Sequence, residues 1–127
     1  RREWNVPGTV VLVEGENDRR SLSALGVSAP IRIVHNGESL AGLAGSISSG
    51  VRRVVVLTDW DAAGGRIARR MRELLADGRL EVDLDSRRRL SLALRAELVH
   101  VEGLHSWVER KLRLSGDSLD EWLARTA

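Results

Sequence analysis

Four short apolar runs rich in β-branched residues punctuate the chain: Val10–Val13 (VVLV), Ile31–Val34 (IRIV), Val54–Leu57 (VVVL) and Leu98–Val101 (LVHV). Runs of this length and make-up fit buried strands of a parallel sheet. A helical pattern follows each. Asp18–Leu25 carries Leu22 and Leu25 and stops at Gly26. Ser39–Ser48 places Leu40, Leu43 and Ile47 on one stripe. Gly65–Ala76 spaces Ile67, Met71, Leu74 and Leu75 at i, i+4, i+7 and i+8, with Arg66, Arg69, Arg70, Arg72 and Glu73 on its other face. Ser106–Leu114 carries Trp107, Val108 and Leu112. Four strand–helix units predict right-handed crossovers and an α/β, three-layer, Rossmann-like fold: a mostly parallel four-stranded sheet with helices on both faces. Two segments fall outside this rhythm. Residues Glu81–Glu97 read as a helical insertion before the fourth strand, and Asp117–Arg125 as a short terminal helix. The 127 residues suit a single domain whose core spans about residues 9–113.

Composition narrows the chemistry. The chain has no Cys, so thiol nucleophiles, disulfides and cysteine-ligated zinc or iron–sulfur sites are excluded. It has no Tyr, so it cannot by itself attach a substrate to a tyrosine oxygen. With three His, a metal site must lean on Asp and Glu, which suit Mg²⁺ or Mn²⁺. Twenty basic residues face 18 acidic ones, a net +2, and Lys111 is the single lysine among them. Arginine favours bidentate phosphate contact, but genomic base composition also raises it. No apolar run reaches the ~20 residues of a membrane span, and the segment RREWNVPG lacks the apolar stretch of a signal peptide. The expectation is a cytoplasmic protein without a membrane partner.

In an open parallel sheet, ligands bind outside the carboxyl ends of the strands. There the sequence sets Glu14, Gly15 and Asp18 after the first run, and His35 after the second. Asp59, Trp60, Asp61 and Gly64 follow the third, and Glu102 and His105 the fourth. Clustered carboxylates repel one another unless a cation sits among them. A regular strand would point Asp59 and Asp61 the same way, and with Glu14 they offer oxygen ligands for Mg²⁺ or Mn²⁺. Gly15 fits a sharp turn, and Gly64 with Gly65 a close approach of phosphate to a helix start. An Asp after a strand also serves as a plain helix cap, and Asp18 and Asp61 are both placed to do so.

These motifs resemble the Toprim domain, the module shared by topoisomerases, bacterial-type primases and several nucleases. The first family motif is an apolar strand ending in Glu-Gly with an acidic residue three beyond; here it reads VLVEGENDRR, with Glu14, Gly15 and Asp18. The second is Asp-x-Asp with a Gly three further on; here it reads VVVLTDWDAAGG, with Asp59, Asp61 and Gly64. The likeness covers about residues 9–113 and is greatest to small stand-alone archaeal-type members. It implies a Toprim fold, Glu14 as general acid/base and metal neighbour, Asp59 and Asp61 as Mg²⁺ ligands, and Asp18 in support. The implied reaction is Mg²⁺-dependent phosphodiester cleavage or transfer on nucleic acid, RNA or DNA. The absent Tyr and Cys set aside a self-sufficient topoisomerase and the zinc-bearing relatives. An alternative is a non-catalytic or partner-dependent module that holds metal and nucleic acid. A dinucleotide-binding role is disfavoured, because no G-x-G-x-x-G follows the first strand.

The remaining candidates carry two readings each. Arg19, Arg20, Arg66 and Arg69 follow the acidic motifs and could contact phosphate or simply face water. Arg87–Arg89 could form a basic contact patch but read rather as a solvated face. Trp60 reads as packing rather than base stacking, Trp107 as core, and Trp4 and Trp122 as a terminal cluster or dimer contact. His35 and His105 read as solvated or structural residues that could also reach phosphate or metal. Glu102 reads as support for the acidic cluster.

Overall fold

The computed structural model describes residues 2–34, 39–47, 50–76, 80–94 and 100–115. Its strands are β1 (Thr9–Val13), β2 (Ile31–Ile33), β3 (Arg53–Val56) and β4 (Glu81–Asp83). Its helices are α1 (Glu16–Ala24), α2 (Leu40–Gly45), α3 (Ala62–Leu74), α4 (Asp85–Leu94) and α5 (Leu104–Ser115). Short 3-10 turns cover Arg2–Asn5 and Val101–Gly103. All strand pairs are parallel, in the order β2-β1-β3-β4. The register sets Val13 beside Ile33, Leu12 beside Val56 and Val55 beside Asp83.

Strand alternation divides the apolar side chains between two cores. Val11, Val13, Val55 and Leu57 face α1, α4 and α5, where Leu22, Leu90, Leu94, Leu104, Trp107 and Val108 meet them. Val10, Leu12, Val54 and Val56 face α2 and α3, meeting Leu43, Ala68, Met71 and Leu75. The fold is thus the three-layer, Rossmann-like α/β arrangement that the sequence predicts. Trp107 lies in the first core and Trp60 packs against it, as read from sequence. Trp4 is also part of that core, and its indole N–H donates to Ser86 Oγ at 3.3 Å. At the end of α1, Gly26 adopts φ +93° and stops the helix where the sequence places it. No helix among the described residues is long and apolar enough to cross a membrane.

The fourth strand differs from expectation. It is Glu81–Asp83, inside the segment read as a helical insertion, and α4 follows it directly. At the sheet edge only Asp83 of the three is buried, so no apolar run marks it. Of the expected strand Leu98–Val101, Leu98 and Val99 lie outside the described residues, while Val101 opens a 3-10 turn. The expected terminal helix Asp117–Arg125, with Trp122, lies outside them as well.

The order β2-β1-β3-β4 has a consequence for ligand binding. From β1 the chain crosses to β2 on one side and then to β3 on the other. The switch point therefore lies between β1 and β3, where open α/β sheets form a crevice at the strands' carboxyl ends.

Candidate metal centre

Glu14 and Asp59 lie on the two sides of this switch point. Glu14 follows β1, and its Oε2 accepts a hydrogen bond from the Asp59 amide at 2.9 Å. Burial raises the Glu14 pKa above its ordinary value; the Asp59 amide pulls it down, and the Asp59 and Asp61 carboxylates push it further up. Asp18, also buried, turns back from α1 to accept from the Gly15 amide at 2.9 Å. Its pKa is raised too, first by burial, with repulsion from Asp59 and Glu102 adding to it. Asp18 is thus a helix-start residue behind the cluster. Gly15 itself has φ −149°, open to any residue, and an added Cβ would meet only Asp18 Oδ2 at 3.9 Å. The turn at Gly15 thus does not depend on a glycine's conformational freedom.

β3 ends at Val56, so Asp59 and Asp61 stand in a turn and converge through it rather than by strand alternation. Asp61 is the N-cap of α3, its Oδ1 accepting from the Gly64 amide at 2.7 Å. Thr58 Oγ1 donates to the Gly64 carbonyl at 2.7 Å and ties the same turn. Gly64 is required by packing. A Cβ there would lie 2.7 Å from the Asp59 carbonyl carbon and 3.0 Å from its nitrogen, with the oxygen nearer still. The glycine admits this turn's own backbone, where the sequence reading assigned it to phosphate approach.

The Asp59 carboxylate reaches the segment before α5. Its Oδ1 accepts from the Val101 amide at 2.6 Å, and its Oδ2 lies 3.0 Å from His100 Nδ1. That hydrogen bond raises the His100 pKa. Ligand atoms of Asp59, Asp61 and His100 all lie within 4.8 Å of one another. Glu14 borders this trio through the Asp59 amide.

Two members of the site escaped the sequence reading. His100 sits inside the apolar run Leu98–Val101, whose pattern predicts a strand. Arg87 was hidden in an Arg triplet read as a solvated face, yet its Nε and a terminal N–H donate to the carbonyls of Thr58 (3.1 Å) and Asp59 (2.6 Å). The signal for Arg87 is its spacing: with Leu90 and Leu94 it forms an i, i+3, i+7 stripe, and both leucines are buried.

The other candidates lie around the cluster. Glu102 is exposed and accepts from Asn17 Nδ2 at 3.4 Å. Its charge is felt by Asp18 and His100. Arg19 is ion-paired with Glu16 on α1. Arg20 is exposed, with Nε 3.8 Å from Glu16 Oε1, and lines a cleft of about 540 Å³ between α1 and α5, with Asn17, Ser21, Glu102 and His105. Arg66 and Arg69 are exposed on α3. His105 bonds through its amide to Ser21 Oγ and through its ring to Glu109, away from the acidic cluster. His35 lies outside the described residues.

No protein-family model matches the chain. It is 32% identical to a UPF0292 protein of Methanosarcina barkeri over 112 residues, 88% of this chain and 77% of that one. It is 35% identical to a UPF0292 protein of Archaeoglobus fulgidus over 109 residues, 86% and 84% of the two chains. A UPF0292 protein of Pyrococcus furiosus matches at 35% over 105 residues, 82% and 78% of the two. Among solved structures, a protein from Aquifex aeolicus matches with a TM-score of 0.62 and 29% identity, over 75% of this chain and 83% of that one. On these likenesses, which cover most of this chain and of each relative's length, the chain belongs to the UPF0292 family.

Proposed function

We propose that this protein is a divalent-cation-dependent enzyme of phosphodiester cleavage or transfer on nucleic acid. Mg²⁺ or Mn²⁺ is held by Asp59 and Asp61, with His100 as a nitrogen donor, and Glu14 acts beside them as general acid/base. One observation carries this reading: Glu14 and Asp59 meet across the β1–β3 switch point, beside a trio of ligand atoms within 4.8 Å of one another.

The chemistry of the donor set fits. Two carboxylates suit hard cations, and an imidazole beside them is well accepted by Mn²⁺. Crowded carboxylates and burial together leave Glu14 reluctant to ionise, and a cation relieves that repulsion. When bound, the cation supplies neutralisation of charge on the phosphoryl group. A carboxyl with a raised pKa is suited to moving protons closer to neutral pH. The nucleic-acid substrate is supported by the Toprim-like motifs around Glu14 and Asp59, and by the Arg20-lined cleft beside them.

The test is a cleavage screen with Mn²⁺ against structured RNA, single-stranded DNA and duplex DNA. The parent protein is expected to cleave at least one of them. Glu14→Gln and Asp59→Asn are expected to remain folded and lose about 100-fold or more in rate. If both variants cleave as fast as the parent, the assignment is wrong. Cation and nucleic-acid binding without cleavage would instead support a binding module that needs a protein partner for chemistry.

Arg20 and Arg19 should separate in the same assays. Arg20→Ala is expected to weaken nucleic-acid binding and to reduce the slope of log affinity against log salt by about one. Arg19→Ala, whose guanidinium is hydrogen-bonded to Glu16 through two donors and does not line that cleft, is expected to leave that slope unchanged.

A further inference from the structure

We propose that Arg87, delivered by α4, is the positioning residue of the Asp59–Asp61 turn. It stands outside both acidic motifs, yet it binds the backbone of the second, which presents Asp59 and Asp61. Its Nε donates to the Thr58 carbonyl and its terminal N–H to the Asp59 carbonyl. A guanidinium offers these two donors in a rigid fork, so two successive carbonyls are held in one orientation. Gly64 leaves the Asp59 carbonyl the room it occupies. The Asp59 side chain is held in turn by the Val101 amide and His100.

The guanidinium also stands within electrostatic reach of Asp61, Glu14 and Asp59. This gives the proposal a test of sign. Were Arg87 only a charge, removing it would strengthen cation binding, because a positive neighbour would be gone. As a positioning residue, its removal weakens cation binding in spite of the lost charge.

The first arm needs no metal and is independent of the function proposed above. Amide hydrogen exchange is followed in the parent, Arg87→Met, Arg87→Lys and, as control, Arg88→Met, whose side chain is exposed on the same helix. The reporters are the Asp59 amide, held by Glu14, and the Val101 amide, held by Asp59. The Leu57 amide, bonded to the Leu12 carbonyl in the sheet, reports the fold as a whole. Arg87→Met is expected to lose about tenfold or more in protection at Asp59 and Val101 while Leu57 keeps its own. Arg87→Lys should recover part of the loss, and Arg88→Met should match the parent. Unchanged protection at Asp59 and Val101 in Arg87→Met overturns the proposal, and so does equal loss at all three amides.

The second arm rests on the metal reading. The Mn²⁺ dissociation constant, measured by calorimetry, is expected to rise about tenfold in Arg87→Met, the range typical of residues that orient metal ligands. A constant that is unchanged or lower in Arg87→Met overturns the positioning role. Failure of the parent itself to bind Mn²⁺ would sink the metal centre, and the exchange arm would still decide the role of Arg87.

Discussion

Gly64→Ala is expected to destabilise the fold by about 3 kcal/mol, the upper end for forcing a methyl group into a filled space. For a chain of this size that is a fall of about 10 °C in melting temperature. The cause is local and rigid. The added Cβ would collide with the backbone of Asp59, and backbone cannot rotate aside as a side chain can. Relief requires either the start of α3 or the Asp59 peptide to move. The first breaks the Asp61 cap and the Thr58–Gly64 bond. The second pulls the Asp59 carbonyl from Arg87 and its carboxylate from Val101. Thermal unfolding by circular dichroism measures the loss. Gly65→Ala is the natural comparison, since a Cβ there meets only Arg87 and Arg69 side-chain atoms at 3.7 Å and 4.0 Å. A shift for Gly64→Ala no larger than that for Gly65→Ala would refute the packing argument.

How much of this was legible in the sequence follows from where each element sits. β1 and β3 are covered on both faces, so burial demands unbroken apolar runs, and VVLV and VVVL stand out. β4 is an edge strand with acidic residues at both ends, so nothing apolar announces it. Its neighbour in space is Arg53, which is far away in sequence. The acidic turns were visible because Glu14 directly follows β1, and Asp59 and Asp61 come three and five residues after β3. His100 and Arg87 were not, because each reaches the cluster from an element whose placement depends on the whole fold. One contact joins positions 41 apart and the other positions 28 apart. Local pattern carries no signal across such distances. Periodicity could have said only that Arg87 shares its helix face with Leu90 and Leu94, which makes a solvated side chain there improbable.

The edge strand also sets the second large effect. Asp83→Ala is expected to cost about 3 kcal/mol, the range for breaking a buried ion pair from one side. Asp83 is buried and accepts from four donors: Arg53 at 2.5 Å, the amides of Asp85 and Ser86 at 2.8 and 3.1 Å, and Ser86 Oγ at 2.9 Å. It therefore fastens β4 to β3 and starts α4 at once, and through Ser86 it meets the Trp4 indole. Because α4 carries Arg87, the acidic turn depends on this anchor at one remove. Burial opposes ionisation of Asp83, but the bonds from Ser86 and Arg53 outweigh it and hold the carboxyl below its ordinary pKa of 3.8. A group whose folded pKa is depressed contributes stability that is complete above the unfolded value and vanishes as pH falls through the folded one. The parent is thus expected to lose this contribution below about pH 4. Asp83→Asn, which cannot ionise, is expected to be less stable than the parent at pH 7. In urea unfolding at pH 7, 4 and 3, the gap between the two proteins should narrow at the lowest pH. A gap equally wide at all three values would show that shape, and not the charge on Asp83, holds β4 and α4 in place.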